Sequence, residues 1–149
     1  MGMMLKFVKD GKGLKDQVIL TKDKVISYEE IRDAVGGYIE FVYYVDLGDE
    51  GIVIIVDEES LLKQLEPTFW LYSEKKGTVN QFPLVGNVLV VRVDGENTVS
   101  LNLDDINLVK SKIMVDKEGK NYFLPLNDEY IDSSNEFINE FFNIIDKSE

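Results

Sequence analysis

Cysteine and histidine are both absent from the 149 residues of this sequence. Without cysteine the chain has no disulfides and no thiolate nucleophile, and without histidine it has no imidazole for acid–base catalysis. The usual ligands of zinc are missing as well. Acid–base chemistry would have to come from a carboxylate or a lysine. We therefore expect a protein with no catalytic residues, no enzymatic activity and no cofactor.

Long apolar runs are also missing. The longest, residues 51–56, is far shorter than the ~20 residues that a membrane-spanning helix needs. The segment from Met1 to Lys15 contains lysines, but it has no apolar stretch followed by a cleavage site. We therefore expect a cytoplasmic protein that does not contact a membrane.

Basic residues are scarce: Lys and Arg number 16 against 28 Asp and Glu, which gives a net charge of −12. Phosphate contacts need a basic surface, so we expect no direct binding to nucleic acid. No Lys or Arg lies between Arg32 and Lys63 or between Lys120 and Lys147. Such acidic stretches attract a basic partner, although they can equally serve solubility alone. The candidate partner-binding residues are their carboxylates: Glu40, Asp46, Asp49, Glu50, Asp57, Glu58, Glu59, Asp128, Glu129, Asp132, Glu136 and Glu140.

The length fits one domain, and a chain of this size buries roughly 68–70% of its unfolded surface. Apolar residues make up 44% of the sequence, and no internal repeat or Pro/Ser-rich linker divides it. We predict a single domain over residues 1–149. We read residues 1–4 as including extra residues ahead of the native initiator methionine, and we leave them out of the fold prediction.

Strand and turn patterns dominate the first two thirds of the chain. Apolar runs at residues 5–8 and 18–21 flank a glycine turn and predict a hairpin. Ser27 and Glu30 form a capping box, which predicts a short helix that Gly36 ends. Two runs rich in β-branched and aromatic residues, 38–45 and 52–56, predict a second hairpin, and residues 87–93 predict another buried strand.

The remaining elements are shorter. Residues 68–72 have an extended pattern, and a turn at Asp94 and Gly95 leads into residues 98–101. A helix is predicted from about Asn102 to Lys112. Residues 113–115 and 121–124 flank Glu118 and Gly119 as a hairpin.

The C-terminal segment has the pattern of an amphipathic helix. Ser133 and Glu136 form a capping box, and five large apolar residues follow on one face: Phe137, Ile138, Phe141, Phe142 and Ile145. We predict that this helix covers the sheet, and the alternative is a homodimer through Phe137, Phe141 and Phe142. The predicted fold class is α+β, a mainly antiparallel sheet with short helices and the amphipathic C-terminal helix packed on it.

Two segments carry a resemblance to a known family. They are Val-Gly-Gly-Tyr-Ile-Glu at residues 35–40 and Val-Gly-Asn-Val-Leu-Val-Val at residues 85–91. Because both segments occur in this order, the sequence resembles a family of small domains of phages, prophages and plasmids that has no assigned function. The resemblance implies a mobile-element origin and a bacterial host, and it supplies no activity. It implies a family-like core over about residues 5–112, followed by a C-terminal hairpin and helix over residues 113–149.

Two features are compatible with either a functional or a structural role. Asp57, Glu58 and Glu59 could hold Mg²⁺, with Lys63 or Arg92 as a phosphate partner, because hard cations prefer carboxylate oxygens. The structural alternative is a helix N-cap followed by acidic residues. Glu40 lies in the middle of a strand, where alternation puts it on one face with Val42 and Tyr44. That face could bind a ligand or could be an ordinary packed sheet face.

The hypothesis that follows is a non-catalytic acidic binding protein of phage or prophage type. Its expected partner is a host protein with a basic surface, and interference with host defence or DNA transactions is a specific form of this function. The alternative is a small Mg-dependent nucleotide-binding or hydrolytic domain that uses the carboxylates of residues 57–59.

Overall fold

The computed structural model describes residues 1–11, 13–60, 66–75 and 78–127. The chain opens with a hairpin of two nine-residue strands, β1 (Gly2–Asp10) and β2 (Gly13–Thr21), which pair antiparallel along their whole length. This confirms the first predicted hairpin. The exclusion of residues 1–4 is wrong, however, because β1 starts at Gly2 and the Met4 side chain is completely buried.

Helix α1 (Tyr28–Val35) follows with both predicted signals in place. The Ser27 side chain accepts a hydrogen bond from the Glu30 backbone N–H, and the Glu30 side chain bonds back to the Ser27 backbone. Gly36 ends the helix in the left-handed conformation, with φ of +84°, which glycine adopts without strain. Strands β3 (Ile39–Val42) and β4 (Ile52–Asp57) then form the second predicted hairpin.

The second half of the described chain is also rich in strands. Strands β5 (Pro67–Lys75) and β6 (Thr78–Val85) form a long hairpin, and β7 (Val88–Asp94) and β8 (Asn97–Val99) form a short one. Helix α2 (Leu103–Ser111) starts from an Asn102 capping box. Strands β9 (Met114–Val115) and β10 (Tyr122–Pro125) form the hairpin predicted around Gly119.

These strands form two sheets. The first has the order β2-β1-β7-β4-β3, with β8 paired to β7, and all of its pairs are antiparallel. The second has the order β6-β5-β10-β9, and its β5–β10 pair is parallel. The edge strands of the first sheet are therefore β2 and β3, and those of the second sheet are β6 and β9.

Alternate residues of the central strands fill two cores on opposite faces of the first sheet. On one face Ile54 and Val90 pack with Phe69 and Leu71 of the second sheet, and α2 contributes Val109 to the same core. On the other face lies a smaller core beneath α1, formed by these residues: Met4, Ile26, Ile31, Ala34, Val35, Val53, Ile55, Leu89 and Val91. Because β4 is buried on both sides, its sequence is a continuous apolar run rather than an alternating one.

The α+β fold class is wrong: the protein is mainly β, a largely antiparallel structure with two short helices in its described residues. The difference lies mainly in residues 67–85, which form two strands of nine and eight residues where the sequence pattern predicts only a short extended segment at residues 68–72. The amphipathic C-terminal helix, with Phe137, Phe141 and Phe142, lies outside the described residues. Within the described part, no helix is long and apolar enough to cross a membrane.

Candidate functional site

The acidic loop between β3 and β4 is built from local turns. The Asp46 carboxylate accepts a hydrogen bond from the Gly48 N–H at 2.9 Å, and Asp49 accepts one from the Gly51 N–H at 2.8 Å. Such side-chain-to-backbone bonds replace the bonds that a turn would otherwise lack. Asp46, Asp49 and Glu50 are all exposed. Their side chains border an open cleft of about 580 Å³, together with Tyr43 and others.

Asp49 has a second, structural role through Arg92. The Arg92 guanidinium lies 3.0 Å from Asp49 Oδ2 and 2.7 Å from Asp105 Oδ1. Asp105 is also the α2 capping residue that bonds to the Asn102 N–H. Burial opposes ionisation of Asp105, but the bonds from Arg92 and Asn102 outweigh it and lower the pKa. The hydrogen bond from Arg92 is the main reason that the pKa of Asp49 is also lowered.

Arg92, one of the two phosphate partners suggested in the magnesium hypothesis, thus pairs with Asp49 and Asp105 and holds the β3–β4 loop and α2 to the sheet. The other suggested partner, Lys63, lies outside the described residues. Asp105 was not predicted as a key residue. The signal that identifies it is the spacing from Asn102 to Asp105, which is that of a capping box.

The three consecutive carboxylates at the end of β4, Asp57, Glu58 and Glu59, differ in burial. Asp57 is buried, and its Oδ1 accepts a hydrogen bond from the Glu59 N–H at 3.0 Å. Glu58 and Glu59 are exposed, and the Glu58 N–H donates to the Tyr38 carbonyl. In the part of the chain that the structure describes, no group of three or more Asp or Glu side chains is placed to hold a metal ion.

Asp57 instead packs against the turn between α1 and β3. A Cβ at Gly37 would lie 2.6 Å from Asp57 Oδ2, so only glycine leaves room for this carboxylate. At the same turn, the Asn87 side-chain amide donates a hydrogen bond to the Val35 carbonyl at 2.9 Å. The two sequence segments at residues 35–40 and 85–91 are thus neighbours in space, although they are about fifty residues apart.

Glu40 lies at a cavity of about 120 Å³ between the two sheets. The predicted alternation of β3 is confirmed: Val42 and Tyr44 face the core between the sheets, while Ile39 and Phe41 face the core beneath α1. The Tyr44 ring meets the Phe82 ring edge-on, with centroids 5.7 Å apart. Partial burial and the nearby charge of Glu58 raise the pKa of Glu40. Burial, reinforced by Glu40, raises the pKa of Tyr44 as well.

Two exposed tyrosines, Tyr38 and Tyr43, flank β3 directly before and after the strand. Tyr43 is 51% exposed and stacks on Phe41, with centroids 5.9 Å apart. Tyr38 is 57% exposed, and the Arg32 guanidinium lies over its ring. A surface of carboxylates and aromatic rings can bind cationic side chains through both charge pairing and cation–π contact.

The structure thus separates the predicted site residues into three groups. Asp49 and Asp57 are held in internal contacts. The second group is exposed to solvent. Glu40 and Glu58 border the cavity of about 120 Å³, Asp46 and Glu50 border the open cleft, and Glu59 lies beyond β4. A third group lies outside the described residues: Asp128, Glu129, Asp132, Glu136 and Glu140.

One comparison with known proteins gives a match. Residues 8–113 match DUF3846, a domain of unknown function, which agrees with the resemblance to a family without assigned function. No curated protein and no solved structure matches. The match spans more than half of the chain. The chain therefore belongs to the DUF3846 family of domains of unknown function.

Proposed function

We propose that this protein is a non-catalytic binding module of phage or prophage type that engages a basic surface of a host protein. The binding surface is the acidic edge, which we define as Glu40, Asp46, Glu50 and Glu58 with the exposed Tyr43. Interference with host defence or with host DNA transactions is the specific form of this function that we propose.

The observation that carries the proposal is the position of exposed acidic residues that form no ion pair within the described residues. Within the described ranges, none of the four carboxylates of the acidic edge forms an ion pair, whereas Asp49 and Asp105 both bind Arg92. Glu40 lies in the edge strand β3, Asp46 and Glu50 lie in the loop that connects β3 to β4, and Glu58 directly follows β4, the neighbour of β3. Unpaired charges grouped at one side of a molecule create a directional field that steers a partner of opposite charge.

The edge strand itself supports the same role. Strand β3 is the last strand of its sheet, and in the described residues its outer side has no strand partner. Edge strands expose backbone N–H and C=O groups that can pair with an extended segment of another protein. The acidic edge would add charge selectivity to this backbone pairing.

The test is an affinity capture from bacterial host lysate at about 0.05 M and 0.5 M salt, a step that shortens the screening length roughly threefold. The wild type is compared with E40Q/E58Q and D46N/E50Q, each of which removes two charges from the acidic edge. The matched control is E29Q/D33N, which removes two exposed charges from α1.

We expect one host protein to be retained at low salt and lost at high salt. Each acidic-edge variant should weaken its capture by about fivefold, the scale expected for two exposed charge pairs, while the control should bind like the wild type. Capture that is unchanged by salt, or equally reduced by E29Q/D33N, would contradict the proposal. So would the absence of any captured protein.

A further inference from the structure

Strand β2 is the longest edge strand of the described chain. All nine of its residues pair with β1 in an unbroken register, and in the described residues its outer side has no strand partner. The strand contains no proline. Edge strands of this kind expose backbone N–H and C=O groups that can pair with another strand. Strand β2 therefore offers an uninterrupted edge for a further strand.

The other edges within the described ranges carry features that disfavour edge-to-edge pairing. Strand β3 has four residues and carries Glu40 of the acidic edge, while β8 and β9 have only three and two residues. Strand β6 is longer but contains Pro83, which has no N–H to donate. Short length, charge and proline are the usual protections of an edge strand. Among these edges, β2 alone is both long and free of proline.

The side chains of β2 include exposed apolar groups. Val18 is 41% exposed and Leu20 is 63% exposed. Because side chains alternate along a strand, these two residues lie on the same face, and Ile19 between them lies on the other. Apolar groups on an open edge gain free energy when another strand covers them.

The charges of β2 cancel each other. The strand contains one lysine and one aspartate, in a chain whose net charge is −12. Lys15 pairs with Asp10 at 2.5 Å, and Asp16 pairs with Lys110 of α2 at 2.6 Å. Two copies of the chain can therefore approach each other at β2 without the repulsion that keeps two acidic edges apart.

We propose that two copies of this chain pair along β2, antiparallel around a two-fold axis at Ile19. Ile19 then lies opposite Ile19 of the second copy, and Val18 lies opposite Leu20 on both sides of the axis. Beyond them Asp16 faces Lys22 of the second copy, because both are three residues from the axis. Matched apolar pairs and opposite charges are the cross-strand pairs that stabilise a sheet. This dimer goes beyond the proposed function and does not depend on a host partner.

The neighbouring registers match less well. With the axis at Val18, Leu20 would lie opposite Asp16, and with the axis at Gln17, Val18 would lie opposite Asp16. Each of these registers places a carboxylate against an apolar side chain, which loses the favourable pair and desolvates a charge. Side-chain matching therefore selects the register centred on Ile19.

The dimer has a consequence for the acidic edge. Pairing through β2 joins the two first sheets into one, with five strands in a row from each copy and β3 at both ends. The two acidic edges then lie at the far ends of the joined sheet. A partner with two basic sites at a matching distance would bind both edges, and the second contact would be intramolecular.

The first test is sedimentation velocity of the full chain between about 5 µM and about 500 µM. We expect a reversible monomer–dimer equilibrium with a Kd of about 1–100 µM, because an interface one strand wide is small. Raising the salt concentration should not weaken this dimer, since screening reduces the repulsion between two chains of charge −12. Capture of a basic host protein has the opposite salt dependence.

The second test uses paired variants. V18K/L20K places the new lysines of the two copies opposite each other and should weaken dimerisation by at least about tenfold. Both positions are exposed, so the fold of the single chain should tolerate the change. The matched control is M114K/V115K, which adds the same two charges at exposed positions of β9 and should dimerise like the wild type.

The third test is cysteine cross-linking, because the natural chain contains no cysteine. Ile19→Cys places two thiols across the axis, where the Cα separation suits a disulfide. In the control Gln17→Cys, the two thiols would be four residues apart along the paired strands, or roughly 13 Å. Under mild oxidation we expect Ile19→Cys to form a covalent dimer and Gln17→Cys to remain monomeric.

Three results would overturn the proposal. They are a chain that is monomeric at about 500 µM, a dimer that V18K/L20K leaves intact, and equal cross-linking of the two cysteine variants. None of them bears on the proposed function, because host capture by the acidic edge is measured separately.

Discussion

Replacing Gly37 by alanine would place a methyl group where the Asp57 carboxylate now lies. The added Cβ would be 2.6 Å from Oδ2, 2.7 Å from Cγ and 2.8 Å from Oδ1 of Asp57. All three distances are shorter than van der Waals contact, so the whole carboxylate would have to move. This would also disturb the hydrogen bond from the Glu59 N–H to Asp57.

The expected cost follows from these contacts. Overpacking a filled site costs about 1–3 kcal/mol, and a weakened hydrogen bond adds about 1 kcal/mol. Alanine also restricts the unfolded chain, which returns about 0.4–1 kcal/mol. We expect Gly37→Ala to lower the free energy of unfolding by about 1–3 kcal/mol, or Tm by about 3–9 °C for a chain of this length.

Urea unfolding is the assay, followed by the fluorescence of Trp70, the single tryptophan. Two glycine variants are controls. Gly11→Ala should be neutral or slightly stabilising, because no heavy atom lies within 4 Å of its added Cβ. Gly36→Ala should cost about 1 kcal/mol, because its φ of +84° strains any residue with a Cβ.

A double-mutant cycle with Asp57→Ala tests the cause directly. Once the carboxylate is removed, Gly37→Ala should lose most of its cost, a coupling of at least about 1 kcal/mol. The reasoning is refuted if Gly37→Ala is no more harmful than Gly11→Ala, or if its cost is the same with and without Asp57.

Three further predictions concern the ion pairs, Glu40 and the core. Asp105→Ala should lower the free energy of unfolding by about 2–4 kcal/mol, because it removes a helix cap and leaves Arg92 without its buried partner. Asp49→Asn should cost less than about 1 kcal/mol, because this carboxylate is 41% exposed; urea unfolding that ranks the two in the opposite order would refute the assignment. Glu40→Gln should raise Tm at neutral pH, since the raised pKa means that the charged form is disfavoured in the folded protein. The gain should shrink as pH falls through the folded pKa towards 4.5, and a pH-independent gain would contradict this explanation. Phe69→Ala should cost about 3–5 kcal/mol in urea unfolding, because this ring is fully buried and meets another core ring edge-on at 5.2 Å, whereas a cost below about 1 kcal/mol would contradict the packing.

The candidate site was only partly predictable from the sequence. Charge spacing identified the stretch from residue 40 to residue 59, and strand alternation placed Glu40 with Val42 and Tyr44. Neither signal could separate the carboxylates of the acidic edge from Asp49, which pairs with Arg92, or from Asp57, which is buried. That distinction depends on Arg92 and Gly37, which approach these acids only in the folded chain.

The local elements were determined by the sequence itself. The capping box at Ser27 and Glu30, the left-handed Gly36 and the turn between β1 and β2 all depend on residues a few positions apart. Caps and turns of this kind are stabilised by hydrogen bonds between near neighbours in the chain, so short stretches of sequence are sufficient to specify them.

Only the tertiary structure decided how these elements assemble. The parallel pairing of β5 with β10, which completes the second sheet, joins strands about fifty residues apart. The contact between Asn87 and Val35 and the cavity between β3 and β6 likewise bring together residues that are about forty to fifty positions apart. These arrangements depend on which apolar faces can be buried against each other in three dimensions, and neither local propensity nor side-chain periodicity contains that information.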